Sequence, residues 1–315
     1  MPLDRNRLKR YSIHERPSKV TPEDFAVECS PGKSFNEFLD GLPRFLQANQ
    51  LRSLIDTVSE AVRNGKPILV LYGAHVVKTG LSPIFCQALS KGWITYAATN
   101  GAGTIHDLEL ARFGRTSEDV AEALEDGSFG MAIETGTEWN QAVNEGAEKG
   151  MGLGEAVGDW ILSKGGPSTN QSILAAANDQ GRPVTSHAAI GTDITHIHPE
   201  SNGESIGSAS YRDFELLCQR IPELNDGGVV INIGSAVILP EVFLKALSVA
   251  RNLAGPVRNF TAANLDMNRH YRPSQNVLLR PTRSSGQALE VIGPHEILVP
   301  MLFQGVCEKL AQPKQ

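Results

Sequence analysis

Apolar runs of strand length, each ending in a polar, glycine-bearing turn and followed by a helical stretch, constrain this chain more than any other feature. Pro67-Ile68-Leu69-Val70-Leu71-Tyr72 is almost wholly apolar and stops at Gly73-Ala74-His75. Trp93 to Ala98 runs into Thr99-Asn100-Gly101-Ala102-Gly103-Thr104, and Gly228-Val229-Val230-Ile231-Asn232-Ile233-Gly234 repeats the pattern. A strand that is apolar on both faces has no solvent side. Alternating with helices, such strands predict a parallel sheet with helices on both faces, an α/β, Rossmann-like architecture. Pro183 to His187 and Asn276 to Arg280 read as further strands.

The helical stretches follow from periodicity. From Ser34 to Asn64 the reading is one helix, with Leu51, Leu54, Ile55, Val58 and Val62 on one stripe and Gly65 as its stop. Other helices are expected from Ser82, from near Ile105, around Trp139 and Val143, around Ala156 and Trp160, and from Tyr211 to Ile221. Pro240 to Asn252 and a closing segment from Ile297 to Leu310 complete the set, and Ser117 reads as a helix cap. Residues 1–33, punctuated by Pro17, Pro22 and Pro31, read as an N-terminal arm, and 34–315 as a single domain. Asn259 to Arg272 reads as a polar loop, either facing a ligand through Asn264, Asp266, His270 and Arg272 or held by its own hydrogen bonds.

Composition narrows the function classes. A chain of 315 residues, 41% hydrophobic and 20% charged, can bury a substantial core and is not disordered. A net charge of −6 gives no electrostatic footprint for nucleic acid. No apolar run approaches a membrane span and no leader pattern opens the chain, so neither a membrane nor secretion is expected. Cys29, Cys86, Cys218 and Cys307 lack C-x-x-C spacing and fit a reduced, cytoplasmic compartment.

An open parallel sheet binds ligands at the carboxyl ends of its strands. Three glycine-bearing turns fall there: Gly73 to Gly80, Thr99 to Asp107, and Gly234-Ser235-Ala236. Such turns let backbone N–H groups close on a pyrophosphate at a helix start. In the second turn Gly101 and Gly103 lack the third glycine of G-x-G-x-x-G, because His106 stands in its place. Close packing explains those glycines equally well. Gly191-Thr192-Asp193-Ile194-Thr195-His196-Ile197-His198-Pro199-Glu200 places two histidines at i and i+2, on one face if extended. With Asp193 they could shuttle protons or contribute to a metal site.

At these turns the chain resembles deoxyhypusine synthase. The matching runs are Leu69 to His75 with Thr79-Gly80, Ala98 to Gly103 with His106-Asp107, Pro183 to His187 with Ala188 to Asp193, and Ile233-Gly234-Ser235. The resemblance implies a Rossmann-like transferase fold, a homotetramer of tight dimers, and NAD held between subunits. In that family NAD oxidises spermidine, and an active-site lysine carries the butylamine group. Carried over, NAD would meet Gly73, Thr79, Gly80, Thr99, Asn100, Gly101, Gly103, Asp193, Gly234 and Ser235. His75, His106, Asp107, His196 and His198 would do the catalysis. Two departures matter. Leu239-Pro240-Glu241-Val242 stands where the family has a His-His pair, and Arg280 to Gln287 contains no lysine. Without that amine the usual covalent intermediate is unavailable to this chain. The expectation is therefore a deoxyhypusine synthase-like, NAD-binding homo-oligomer acting on a small polar or polyamine-like substrate, and not a true deoxyhypusine synthase. The alternatives are a metal-dependent or hydrolytic enzyme built on Asp193, His196 and His198, and a non-catalytic nucleotide-binding homologue.

Overall fold

The computed structural model describes residues 3–312. Among them, six strands form one sheet: β1 (Ile68–Tyr72), β2 (Tyr96–Asn100), β3 (Thr185–His187), β4 (Val229–Ile233), β5 (Thr261–Asp266) and β6 (Gln287–Ile292). Their order is β3-β2-β1-β4-β5-β6, and every neighbouring pair is parallel. This is the doubly wound Rossmann-like order, with its topological switch point between β1 and β4.

Helices α1 (Phe35–Gly41) and α2 (Leu46–Arg63) precede β1, while α3 (His75–Lys78) and α4 (Ser82–Ser90) join β1 to β2. Between β2 and β3 lie α5 (Gly101–Phe113), α6 (Val120–Asp126), α7 (Ile133–Glu148), α8 (Leu153–Lys164) and α9 (Ile173–Asp179). Then come α10 (Gly203–Arg220) before β4, α11 (Ile238–Leu253) before β5, α12 (Arg280–Thr282) before β6, and α13 (His295–Ala311) at the end. Ile68, Val70 and Tyr72 of β1 face one core with Val229 and Ile231 of β4, under α2, α4, α5, α8 and α13. Leu69, Leu71 and Val230 face the other, under α10 and α11. Apolar residues on both faces of β1 and β4 are thus buried, as the sequence pattern requires. No described helix is long and apolar enough to cross a membrane.

Five local readings are corrected. The expected helix from Ser34 to Asn64 is two, broken around Pro43, where the Arg52 guanidinium donates to the freed carbonyls of Leu39, Leu42 and Pro43. Asn276 to Arg280 is no strand: Pro273–Leu279 winds as a π-helix into α12, and its short apolar run, Val277 and Leu278, packs on α11. The polar stretch after Asn259 is not a loop; its middle is β5, held between β4 and β6, and its Asn264 carboxamide oxygen accepts from Asn232 Nδ2 at 2.8 Å. Ser117 sits at φ 68° and caps nothing, whereas the Asp119 carboxylate receives the first N–H groups of α6, from Ala121 and Glu122. The strand expected from Trp93 starts at Tyr96, with Trp93 and Ile94 as its buried lead-in.

Residues 3–33 form three short 3-10 turns with no buried residue, tied to the rest by Val27 N to Gly41 O and Arg44 N to Asp24 O. At the far edge of the sheet, the outward N–H groups of Glu290 and Ile292 in β6 donate to Gln50 and Gln47 of α2.

Candidate active site at the carboxyl edge of the sheet

A cavity of about 810 Å³ opens beyond the carboxyl end of β2, between α5 and the segments around residues 115–135 and 192–194. Ile105, Phe113, Val120, Phe129 and Ile194 form its apolar wall. Its charged lining comprises Glu109, Glu118, Glu134 and Asp193 against Lys78 and Arg115, with His106 between them. Lys78, which follows β1 and carries no weight in the sequence pattern, is thus brought to the cavity by α3.

His106 is held by a chain of hydrogen bonds. Its Nδ1 lies 2.6 Å from Thr116 Oγ1, the Thr116 hydroxyl donates to Glu109 Oε2, and Thr135 Oγ1 donates to Glu109 Oε1 at 2.8 Å. Burial works against the Glu109 charge. The His106 ring, 3.7 Å from Oε2, and the hydroxyl bonds from Thr116 and Thr135 outweigh it and hold this carboxyl below the usual range.

Asp193 stands at the amino end of α5. A Cβ built on Gly101 would lie 2.0 Å from its Oδ2, so its carboxylate already occupies the place read as a pyrophosphate site. Burial raises its pKa, against the nearby charge of His196, the Ala102 N–H and the Thr192 hydroxyl. Replacing Gly101 by Ala is expected to cost about 1–3 kcal/mol through this clash. The further exchange Asp193→Ala should recover most of that loss in urea unfolding, whereas unchanged stability of the single variant would refute the contact.

Other expected site residues face inward. A Cβ on Gly103 would lie 2.1 Å from Thr99 Oγ1, so this glycine serves close packing of helix on strand. The Thr99 hydroxyl donates to Tyr72 O, and the Asn100 side chain caps Gly103 N. Asp107, 1% exposed, accepts from Ser172 Oγ and from the N–H groups of Ile173 and Leu174, and so fixes the start of α9. The extended histidine pair is a 3-10 turn, Ile194–Ile197, so the two rings separate. His196 lies 3.9 Å from Asp193 Oδ2 and accepts from Gly191 N. His198 turns away, donating Nε2–H to Gly130 O with its ring against Gly136. Among the described residues no three His, Cys, Asp or Glu side chains come together to hold a metal ion.

At the switch point, Gly73 N continues the ladder to Ile233 O, and Gly73 lies directly against the Gly234 carbonyl. Gly234, at φ 66°, ends β4 and leads through Ser235 into α11, where Ser235 Oγ receives Leu239 N. Over it lies His295, 2% exposed, which no sequence motif singles out. Neither of its ring nitrogens has a hydrogen-bond partner of ordinary geometry among the described residues. Burial lowers its pKa, against the pull of Asp266 and the Leu265 carbonyl. His75 faces its ring at 5.6 Å, while Thr79 donates to His75 O and Gly80 faces open space. The edge therefore gathers Gly234, Ser235, His75 and His295 at the switch point and His106, Glu109, Asp193 and Lys78 at the cavity, with α3 between.

No protein-family model matches the chain, and the curated proteins give no match. Among solved structures it is similar to a candidate deoxyhypusine synthase from Entamoeba histolytica, with 12% identity over 89% of this chain and 95% of that one and a TM-score of 0.57. It is also similar to AgrE in ternary complex with ornithine and NAD+, with 13% identity over 85% of this chain and a TM-score of 0.51. A third similar structure is apo ArgZ, a cyanobacterial arginine dihydrolase, with 13% identity and a TM-score of 0.48. This chain spans only 34% of the length of AgrE and of ArgZ. At these identities the likeness is one of fold.

Proposed function

We propose that this protein is an NAD-linked enzyme whose cavity takes a small aliphatic amine, polyamine-like in class. The observation that carries the reading is the charge of the cavity. Four carboxyl groups against two cationic side chains, over an apolar wall, suit an ammonium group on a hydrocarbon stem. The nearby switch point suits a dinucleotide on two grounds: an αL glycine leading into a helix start, and a buried imidazole whose nitrogens lack partners. Gly234 and Ser235 would hold such a cofactor, with His75 and His295 beside it. Asp193 and Thr99 fill the space in front of the α5 glycines, and the His295 ring lies over Gly234, so that ring would have to swing aside to admit the cofactor. When bound, NAD supplies a hydride acceptor. The chain's own part is to attract the ammonium through Glu109, Glu118 and Glu134, to lay its stem on Ile105 and Phe113, and to keep Asp193 and His106 at the reacting end.

Isothermal titration of NAD and of spermidine tests this. Saturable binding of both is expected, with NAD affinity lost in Gly234→Val and kept in Asp193→Ala. Spermidine affinity should fall about tenfold in Glu134→Gln, the loss of one charge-assisted contact of about 1.4 kcal/mol. NAD binding without amine binding would leave a nucleotide-binding protein that does no amine chemistry. Binding of neither up to millimolar concentration would end the proposal. A self-associated state, with the exposed apolar residues Val120, Met131 and Ile133 beside the cavity covered by a second copy, belongs to the same proposal.

A further inference from the structure

The hydrogen bonds around His106 have only one consistent direction. Glu109 is an ionised carboxylate and can only accept, so the single Thr116 hydroxyl proton goes to Glu109 Oε2. The Thr116 oxygen is then left as an acceptor, and the group 2.6 Å away from it, His106 Nδ1, must carry a hydrogen. In the neutral ring the second nitrogen, Nε2, is consequently a bare lone pair. Nε2 makes no hydrogen bond among the described residues and is not one of the buried atoms lacking a partner, and His106 lines the cavity. Thr135 fixes the other oxygen of Glu109 from α7, so the relay is anchored on two helices.

We propose that His106 Nε2 is the proton acceptor of this cavity, with Glu109 and Thr116 as positioning residues that fix its tautomer. The inference rests on the cavity being the amine site. Binding puts a ligand N–H in a hydrogen bond to Nε2. An aliphatic ammonium is a weaker acid than an imidazolium by about four pKa units. Transfer therefore belongs to the reaction step and not to binding. When the ligand N–H bond breaks, its electron pair stays on the ligand nitrogen, which becomes a neutral amine. The proton forms the Nε2–H bond, and the new imidazolium is balanced by Glu109 through the Thr116 hydroxyl. Glu109 here plays the part a carboxylate plays beside a catalytic histidine, with one hydroxyl inserted between them. Asp193 lines the same cavity, so a second carboxyl group faces it.

Two-bond ¹H–¹⁵N spectra of the full chain labelled at histidine, taken at a pH where the ring is neutral, test this without any turnover. Wild type is expected to show His106 as the Nδ1–H tautomer. Thr116→Ser should keep that tautomer, and Thr116→Val should shift it toward Nε2–H. Glu109→Gln gives a second route, since its loss also frees the Thr116 hydroxyl to donate toward the ring. Spermidine should shift the Nε2 resonance and leave Nδ1 nearly unmoved. An Nε2–H tautomer in wild type, or an unchanged one in Thr116→Val, overturns the relay. Saturable spermidine binding that leaves Nε2 unshifted overturns the acceptor role while the amine reading stands. If calorimetry finds no amine binding, that reading fails and the tautomer alone decides the relay.

Discussion

Asp107→Ala should lower the stability of this protein by about 4 kcal/mol, the sum of lost hydrogen bonds to a buried carboxylate and of two N–H groups left without partners. In a chain of this size the thermal midpoint would drop by roughly 8 °C. The three bonds at stake run from Ser172 Oγ at 2.6 Å, Leu174 N at 3.0 Å and Ile173 N at 3.1 Å. Asp107→Asn keeps one accepting oxygen for Ser172 and Leu174 but turns a donor toward Ile173 N, so about half the loss is expected. Calorimetric melting measures both. Since Asp107 faces α9 and not the cavity, the folded variant should bind spermidine as wild type does. A stable Asp107→Ala protein with no ligand affinity would return this residue to the active site.

The second large effect concerns Asp213, which is 2% exposed in α10. Its Oδ2 accepts from Gly154 N at 2.9 Å and Ser186 N at 2.7 Å, joining α8 to β3. Burial pushes its pKa from 3.8 up to about 7, further than these N–H bonds pull it back. A pKa raised by folding stabilises the folded state while the group stays protonated. The contribution is therefore complete below about pH 4 and lost as pH rises to about 7, at up to about 1.4 kcal/mol per pH unit. Asp213→Asn mimics the protonated acid. Its stability relative to wild type should rise across that window, reaching a gain of about 2–4 kcal/mol above pH 7. Urea unfolding at pH 4.5, 6 and 8 measures the difference, and a difference that does not change with pH would refute the burial argument. Asp213→Ala, which leaves both N–H groups unpaired, should be destabilised at every pH.

The parallel sheet was legible because β1 and β4 are apolar on both faces, a pattern with few other solutions. β5 was not, because Asn264 and Asp266 look like loop residues until a neighbouring strand supplies the Asn232 carboxamide as a partner. The opposite error, at Val277 and Leu278, has the same root: a short apolar run signals burial but not the backbone that delivers it. At the edge of the sheet, glycines and histidines could be located in the sequence, but their directions could not. Gly101 and Gly103 read the same whether they approach a phosphate or a neighbouring side chain, and only the fold puts Asp193 and Thr99 against them. Lys78, Thr116 and His295 carry no local motif. They matter because α3, the turn after α5 and the start of α13 end at one edge.

The glutamine pair on α2 has a consequence for how copies of this chain can meet. An approaching strand lengthens a sheet by taking up the unpaired backbone donors of its border, and that route underlies much unwanted aggregation. Here the donors of Glu290 and Ile292 are already given to Gln50 and Gln47, side chains of a helix rooted in the core by Leu51, Leu54 and Ile55. The opposite border, β3, is only three residues long. Edge-to-edge joining is thus blocked on one side and starved of length on the other, which leaves helix faces and the open carboxyl edge as the surfaces where copies could meet.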